Sequence, residues 1–170
     1  IEALAGVVSL NLGQDRHPVN PHMPVADVTG SMTALAAILM ALLRREKTGK
    51  GDVIDISMQD SLMAWLPNVV GPVFAEDRAP VVANERSFGG YAFFSIYETA
   101  DGRHLTLGGV EPKFASNLLT DLGRPDLIDS ANSSPGPTQE PVKAFLRATF
   151  ASESLAHWVR WFEGRHVCFA

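Results

Sequence analysis

Pro24 to Ser61 reads PVADVTGSMTALAAILMALLRREKTGKGDVIDISMQDS, and the order of its pieces decides the fold. After Asp27 come the small residues Val28-Thr29-Gly30-Ser31. From Met32 to Leu43, apolar residues then recur at three- and four-residue spacing, the period of a packed helix. The helix is predicted to end in the basic turn Arg44-Arg45-Glu46-Lys47 with a glycine stop at Thr48-Gly49-Lys50-Gly51. Val53-Ile54-Asp55-Ile56-Ser57-Met58 then reads as a buried strand, and a new helix is predicted from about Gln59. Helix, tight turn, strand and helix in this order indicate an α/β arrangement.

Asp27 is expected at or next to the N-cap of the long helix. There a carboxylate can accept backbone N–H groups and feel the positive end of the helix dipole, both of which favour the anion. Capping alone would account for an aspartate in that place.

The wording D-x-T-G-S, then A-L-L-x-R-E-K-T-G-K-G, then I-S-M-Q-D-S resembles the family III CoA-transferases, a family that includes the alpha-methylacyl-CoA racemases. The likeness continues through Gly89 to Arg103 (GGYAFFSIYETADGR) and Leu105 to Phe114 (LTLGGVEPKF), and it covers nearly all 170 residues. It implies that Asp27 is the catalytic acid and that a coenzyme A thioester is the substrate, with no other cofactor. Gly30 and its neighbours would offer helix-start N–H groups to charge developing on the thioester oxygen, and Arg44 and Lys50 would reach a CoA phosphate. Dipole complementarity at a helix end also explains that basic cluster. Glu111, before Pro112, is expected at a second helix start. The G-G-x-E-P-x-F wording implies that it supports the catalytic histidine of a racemase, although an acidic cap explains it equally.

The resemblance further implies part of a Rossmann-like large domain over residues 1–70, a linker at 71–88 and a small α+β domain over 89–170. It also implies an interlocked homodimer. Two chemistries stay open. In one, Asp27 moves a proton at the carbon alpha to the thioester and epimerises a 2-methylacyl-CoA; in the other it attacks the thioester carbonyl, forms an aspartyl anhydride and passes CoA to a second acid. D-V-T-G leans toward the transferases and G-G-V-E-P-K-F toward the racemases, and the racemase-like reading is preferred. A third reading is a non-catalytic fragment that keeps only assembly surfaces. The opening at Ile1, the ending at Ala170 and the lack of a strand-glycine-helix nucleotide unit make the chain resemble the middle of a longer protein.

In the second half, Asp101-Gly102 supplies the positive-φ turn of a hairpin. Val142 to Phe150 and Leu155 to Phe162 read as amphipathic helices, and the Ser-Ser-Pro-Gly-Pro run within Asp129 to Thr138 reads as a mobile loop. His17 and His22 lie in what reads as a solvated loop, and His104 and His157 as ordinary surface or edge residues. A net charge of −5 and a pI near 5.5 argue against a nucleic-acid surface. The single cysteine, Cys168, suits a reducing cytoplasm and excludes an intrachain disulfide. Met32 to Leu43 is too short to span a bilayer, so no membrane contact is expected. No His or Cys group has metal-ligand spacing.

Overall fold

The structure is a computed structural model that describes residues 1–12 and 17–170. The chain divides into two units, Ile1–Asp77 and Arg78–Ala170, and it mixes helix with a little strand.

In the first unit, a turn through Gly6 in the left-handed region (φ 88°) leads into the short helix α1, Val7–Leu10. The long helix α2 spans Val25–Thr48 and stops where the sequence predicts, at Gly49, whose φ of 68° suits a residue without a Cβ. The Gly49 N–H returns to the Arg45 carbonyl at 2.7 Å. Helix α3, Met58–Met63, is capped by Ser57, whose hydroxyl accepts the Asp60 N–H at 3.1 Å. Helix α4 spans Pro67–Glu76 and carries Pro72 inside it, so the segment predicted as linker begins as helix.

The strand predicted at Val53–Met58 does not form, and Met58 instead opens α3. Residues 53–57 take no regular secondary structure and pair with no strand, and Val53 is 95% exposed. A strand between helices needs a sheet neighbour, and none of the named strands lies in this unit. The membrane expectation rested on the dozen residues Met32 to Leu43, whereas α2 has 24. By length and composition it is long and apolar enough to cross a membrane, a test that core helices of soluble proteins also pass. Its apolar residues face outward: Met32, Leu35, Leu39, Met40 and Leu43 are all more than half exposed. What this unit buries is slight, chiefly Ala5, Ala26 and Leu62 packed with Val7, Val25, Met58 and Met63.

The second unit is built on an antiparallel hairpin of β1, Phe94–Glu98, and β2, His104–Gly108, in which Glu98 faces His104 and Phe94 faces Gly108. Its turn holds Gly102 at φ 70°, as Asp101-Gly102 predicts. The carboxylate of Asp101 accepts the Thr99 hydroxyl at 2.6 Å and the Leu155 N–H at 3.1 Å, so it fixes the turn and the start of a later helix together. The Thr99 hydroxyl, more than any other group, holds this carboxyl below its ordinary value.

Four helices pack on the hairpin: α5, Pro112–Asp121; α6, Ile128–Ala131; α7, Glu140–Phe150; and α8, Leu155–Phe162. The last two lie where the amphipathic spacing puts them. The chain end adds to the free edge of β2, with Thr106 and Ala170 exchanging N–H···O bonds at 2.8 and 3.0 Å. Phe150 sits at the centre, 5.2 Å from the Tyr97 ring and 5.1 Å edge-on to Trp158, whose indole N–H donates to the Phe150 carbonyl at 2.9 Å.

The Ser-Ser-Pro-Gly-Pro segment, predicted to be mobile, is pinned instead. Gln139 is fully buried and its amide donates to the carbonyls of Ser130 (3.0 Å), Ala131 (3.2 Å) and Ser133 (3.0 Å) while accepting the Ala92 N–H (3.3 Å). Gly136 donates its N–H to Gly90 at 3.0 Å. These bonds satisfy the loop backbone and remove the freedom its composition suggests.

Candidate active site

Asp27 is the third residue of α2, in its first turn; the N-cap is Pro24. The sequence placed the acid about two residues too close to the helix start, because Pro24-Val25-Ala26 gives no polar cap and leaves the helix free to begin at Val25. The Asp27 carboxylate is exposed and makes no hydrogen bond or ion pair among the described residues. It lines a cavity of about 610 Å³ with Glu2, Asn20, His22 and Met58. An unpaired carboxylate at a helix N-terminus, open to a cavity with an apolar wall, is free to take or give a proton or to attack an electrophile.

Two neighbours stand out that the sequence did not single out for this site. Glu2 Oε1 accepts the Ala26 N–H at 3.2 Å and so occupies the start of α2. No local motif signals this bond, which spans 24 residues. His22, predicted to be a solvated loop residue, is exposed but stands in the cavity wall. His17 is described, whereas Gly13 to Arg16 of the same loop lie outside the described residues.

The other predicted site residues are spread out. Gly30 is buried within α2, where an added Cβ would stand 2.9 Å from Met58 Cγ. Its small size lets α3 approach, and its place inside the helix gives its N–H an intrahelical position rather than a free one. Arg44 and Lys50 lie at the far end of α2, where 17 residues of helix put Arg44 about 25 Å from Asp27. The Arg44 guanidinium is paired with the Asp52 carboxylate, and Lys50 is exposed. Glu111 belongs to the second unit. It is the N-cap of α5, with Pro112 at the first helical position as predicted, and its side chain makes no capping bond. Gly109 has a packing reason, since a Cβ there would lie 2.4 Å from the Phe114 ring. Asp27 and Glu111 thus sit in different units. No group of three His, Cys, Asp or Glu side chains among the described residues could hold a metal ion.

A long helix followed by a hairpin-and-helix unit is a fold that recurs in solved proteins. The fold is shared with the crystal structure of a hypothetical protein (Rv3272) from Mycobacterium tuberculosis, at a TM-score of 0.71 and 21% identity over 99% of this chain and 45% of that one. A CAIB/BAIF family protein from Brucella suis matches at a TM-score of 0.67 and 21% identity, over 99% and 45%. The profile of CoA-transferase family III matches residues 1–170, and the chain belongs to that family. It is 33% identical to the human alpha-methylacyl-CoA racemase and 30% identical to the mouse one, over 98% of this chain and 44% of each relative. It is 27% identical to the mouse succinyl-CoA:glutarate CoA-transferase, over 97% of the chain and 38% of that enzyme. The chain therefore spans less than half the length of these relatives.

Proposed function

We propose that the protein carrying this chain processes acyl-CoA thioesters, and that it epimerises a 2-methylacyl-CoA by alpha-proton transfer with Asp27 as one member of the acid/base pair. The observation that carries this reading is the Asp27 carboxylate, unpaired in the first turn of α2 and open to the cavity, in a chain similar to two racemases. As base, Asp27 takes the alpha proton and the electron pair moves onto the thioester oxygen; the partner acid, across the carbon, then delivers a proton to the opposite face, and the two exchange roles for the other enantiomer. Proton transfer of this kind contributes roughly 10²–10⁴-fold to rate. Glu111 would support the partner base, and Arg44 and Lys50 would meet CoA phosphate. Gly30 would act through the close packing of α2 on α3, which keeps the first turn rigid. In this reading the first unit is part of a Rossmann-like large domain, and the outward apolar face of α2 is covered in an interlocked homodimer working in the cytoplasm.

A second reading has its own support. The likeness to the succinyl-CoA:glutarate CoA-transferase favours a reaction in which Asp27 attacks the thioester carbonyl and the CoA thiolate leaves. The thiolate then attacks the aspartyl carbonyl of the anhydride and releases the first acid. The acceptor carboxylate displaces the thiolate again to form a second anhydride, and the thiolate attacks the acceptor's acyl carbonyl to give acceptor-CoA and free Asp27. The experiment that separates them gives the full-length protein a single enantiomer of a 2-methylacyl-CoA together with a carboxylate acceptor. Loss of enantiomeric purity without acceptor-CoA supports epimerisation. Acceptor-CoA with retained configuration supports transfer and overturns the first reading.

A further inference from the structure

We propose that Glu2 is a positioning residue for Asp27, a side chain that aims the first turn of α2 from a distant segment. The helix has no side-chain cap of its own, because Pro24 at the N-cap carries no acceptor. Two of the first donors are met by the backbone: the Val25 N–H by Met23 at 2.8 Å and the Val28 N–H by Pro24 at 3.0 Å. Between them the Ala26 N–H, in a buried residue, is met by Glu2 Oε1 at 3.2 Å. A carboxylate suits this place because the donor lies at the positive end of the helix dipole.

Both ends of the bond line the cavity that Asp27 lines: Glu2 and Ala3 from the chain start, and Ala26 beside Asp27 from α2. Behind them Ala5 and Ala26 share the small core with Leu62. That core is too slight to fix the first turn by packing alone, so the hydrogen bond from the peptide next to Asp27 sets where the Asp27 carboxylate points. A misplacement near 1 Å in a reacting group costs on the order of 10²-fold in rate, so a bond that removes this play acts on turnover rather than on affinity.

The kinetic part of this inference rests on the proton-transfer reading above, whereas the bond itself can be tested without it. In the full-length protein, Glu2→Ala removes the acceptor and Glu2→Gln keeps an oxygen in its place. Glu2→Ala is expected to lower kcat for alpha-proton exchange about ten-fold or more with KM within about two-fold of wild type. Hydrogen–deuterium exchange in the peptide covering Pro24–Val28 is expected to speed up about five-fold, the loss of one cap. Glu2→Gln is expected to recover most of both, at a melting temperature close to wild type. A wild-type kcat in Glu2→Ala, or a Glu2→Gln enzyme as slow as Glu2→Ala, overturns the proposal. If the wild-type protein shows no alpha-proton exchange, the proton-transfer reading fails by itself. Amide exchange then decides the cap alone: faster exchange in Glu2→Ala supports it and unchanged exchange overturns it.

Discussion

Phe150 in the second unit has no exposed surface and touches Tyr97, Trp158 and Phe162 across its ring, whereas Leu43 in the first unit leaves 67% of its surface open. Phe150 comes from α7, whose apolar residues gather on one buried face, and Leu43 from α2, whose apolar residues spread more widely round the helix and which is bare along most of its length. The difference lies in what surrounds them. Around Phe150 the hairpin, α5, α7, α8 and the chain end close a core on every side, while α2 is met by α3 near Gly30 and by little else within its unit. Apolar spacing tells that a helix will be covered, and it does not tell by what.

The largest expected effect that would sharpen this contrast is Phe150→Ala. It should destabilise the second unit by about 3–5 kcal/mol, read by denaturant unfolding, since the ring is enclosed and its removal leaves a cavity. A loss under 1 kcal/mol would mean that the enclosed core is not what holds the unit. Gln139→Ala should cost about 1–3 kcal/mol in the same measurement, because the Ala92 N–H and three loop carbonyls lose their partner in a buried place. Amide exchange across Ser130–Gly136 should rise with it.

A smaller effect follows from pH. The Tyr97 phenol is buried and donates to the Ala92 carbonyl at 2.7 Å, and burial pushes its ionisation above the ordinary value of 10.0. A raised folded-state value means that the stability is fully present below pH 10 and declines as pH rises toward the folded value, because the unfolded chain loses the proton first. Tyr97→Phe should cost about 1 kcal/mol at neutral pH and flatten that alkaline decline; an unchanged slope would show that Tyr97 is not its source. The smallest effect is expected for Leu43→Lys, within about 0.5 kcal/mol if the first unit is as bare in the whole protein as it is by itself. A loss of several kcal/mol, or a change in oligomeric state by sedimentation, would show that α2 is covered.

Much of this architecture was legible where local chemistry decides it. Asp101-Gly102 needs a positive φ and made a turn; Pro112 fixed the start of α5 and so placed Glu111 at its cap; Gly49 ended α2. That no strand forms after α2 was not legible, because the apolar residues Val53, Ile54 and Ile56 say nothing of whether a neighbouring strand exists to pair with. The pinned loop at Ser133–Gly136 was misread for a related reason: turn-forming composition is local, while the amide that holds it belongs to Gln139 and faces inward. At the site, Asp27 could be found from its place before a periodic helix and from the family wording. Glu2 could not, since a cap that comes from 24 residues away leaves no spacing to read.

The central claim is that Asp27 moves the alpha proton. It is tested most directly by holding the full-length protein with a chiral 2-methylacyl-CoA in deuterated water and following deuterium at the alpha carbon by mass spectrometry, in wild type and in Asp27→Asn. The wild type is expected to take up one deuterium, and the variant to do so roughly 10²–10⁴-fold more slowly at unchanged thermal stability. Uptake by Asp27→Asn at the wild-type rate would contradict it.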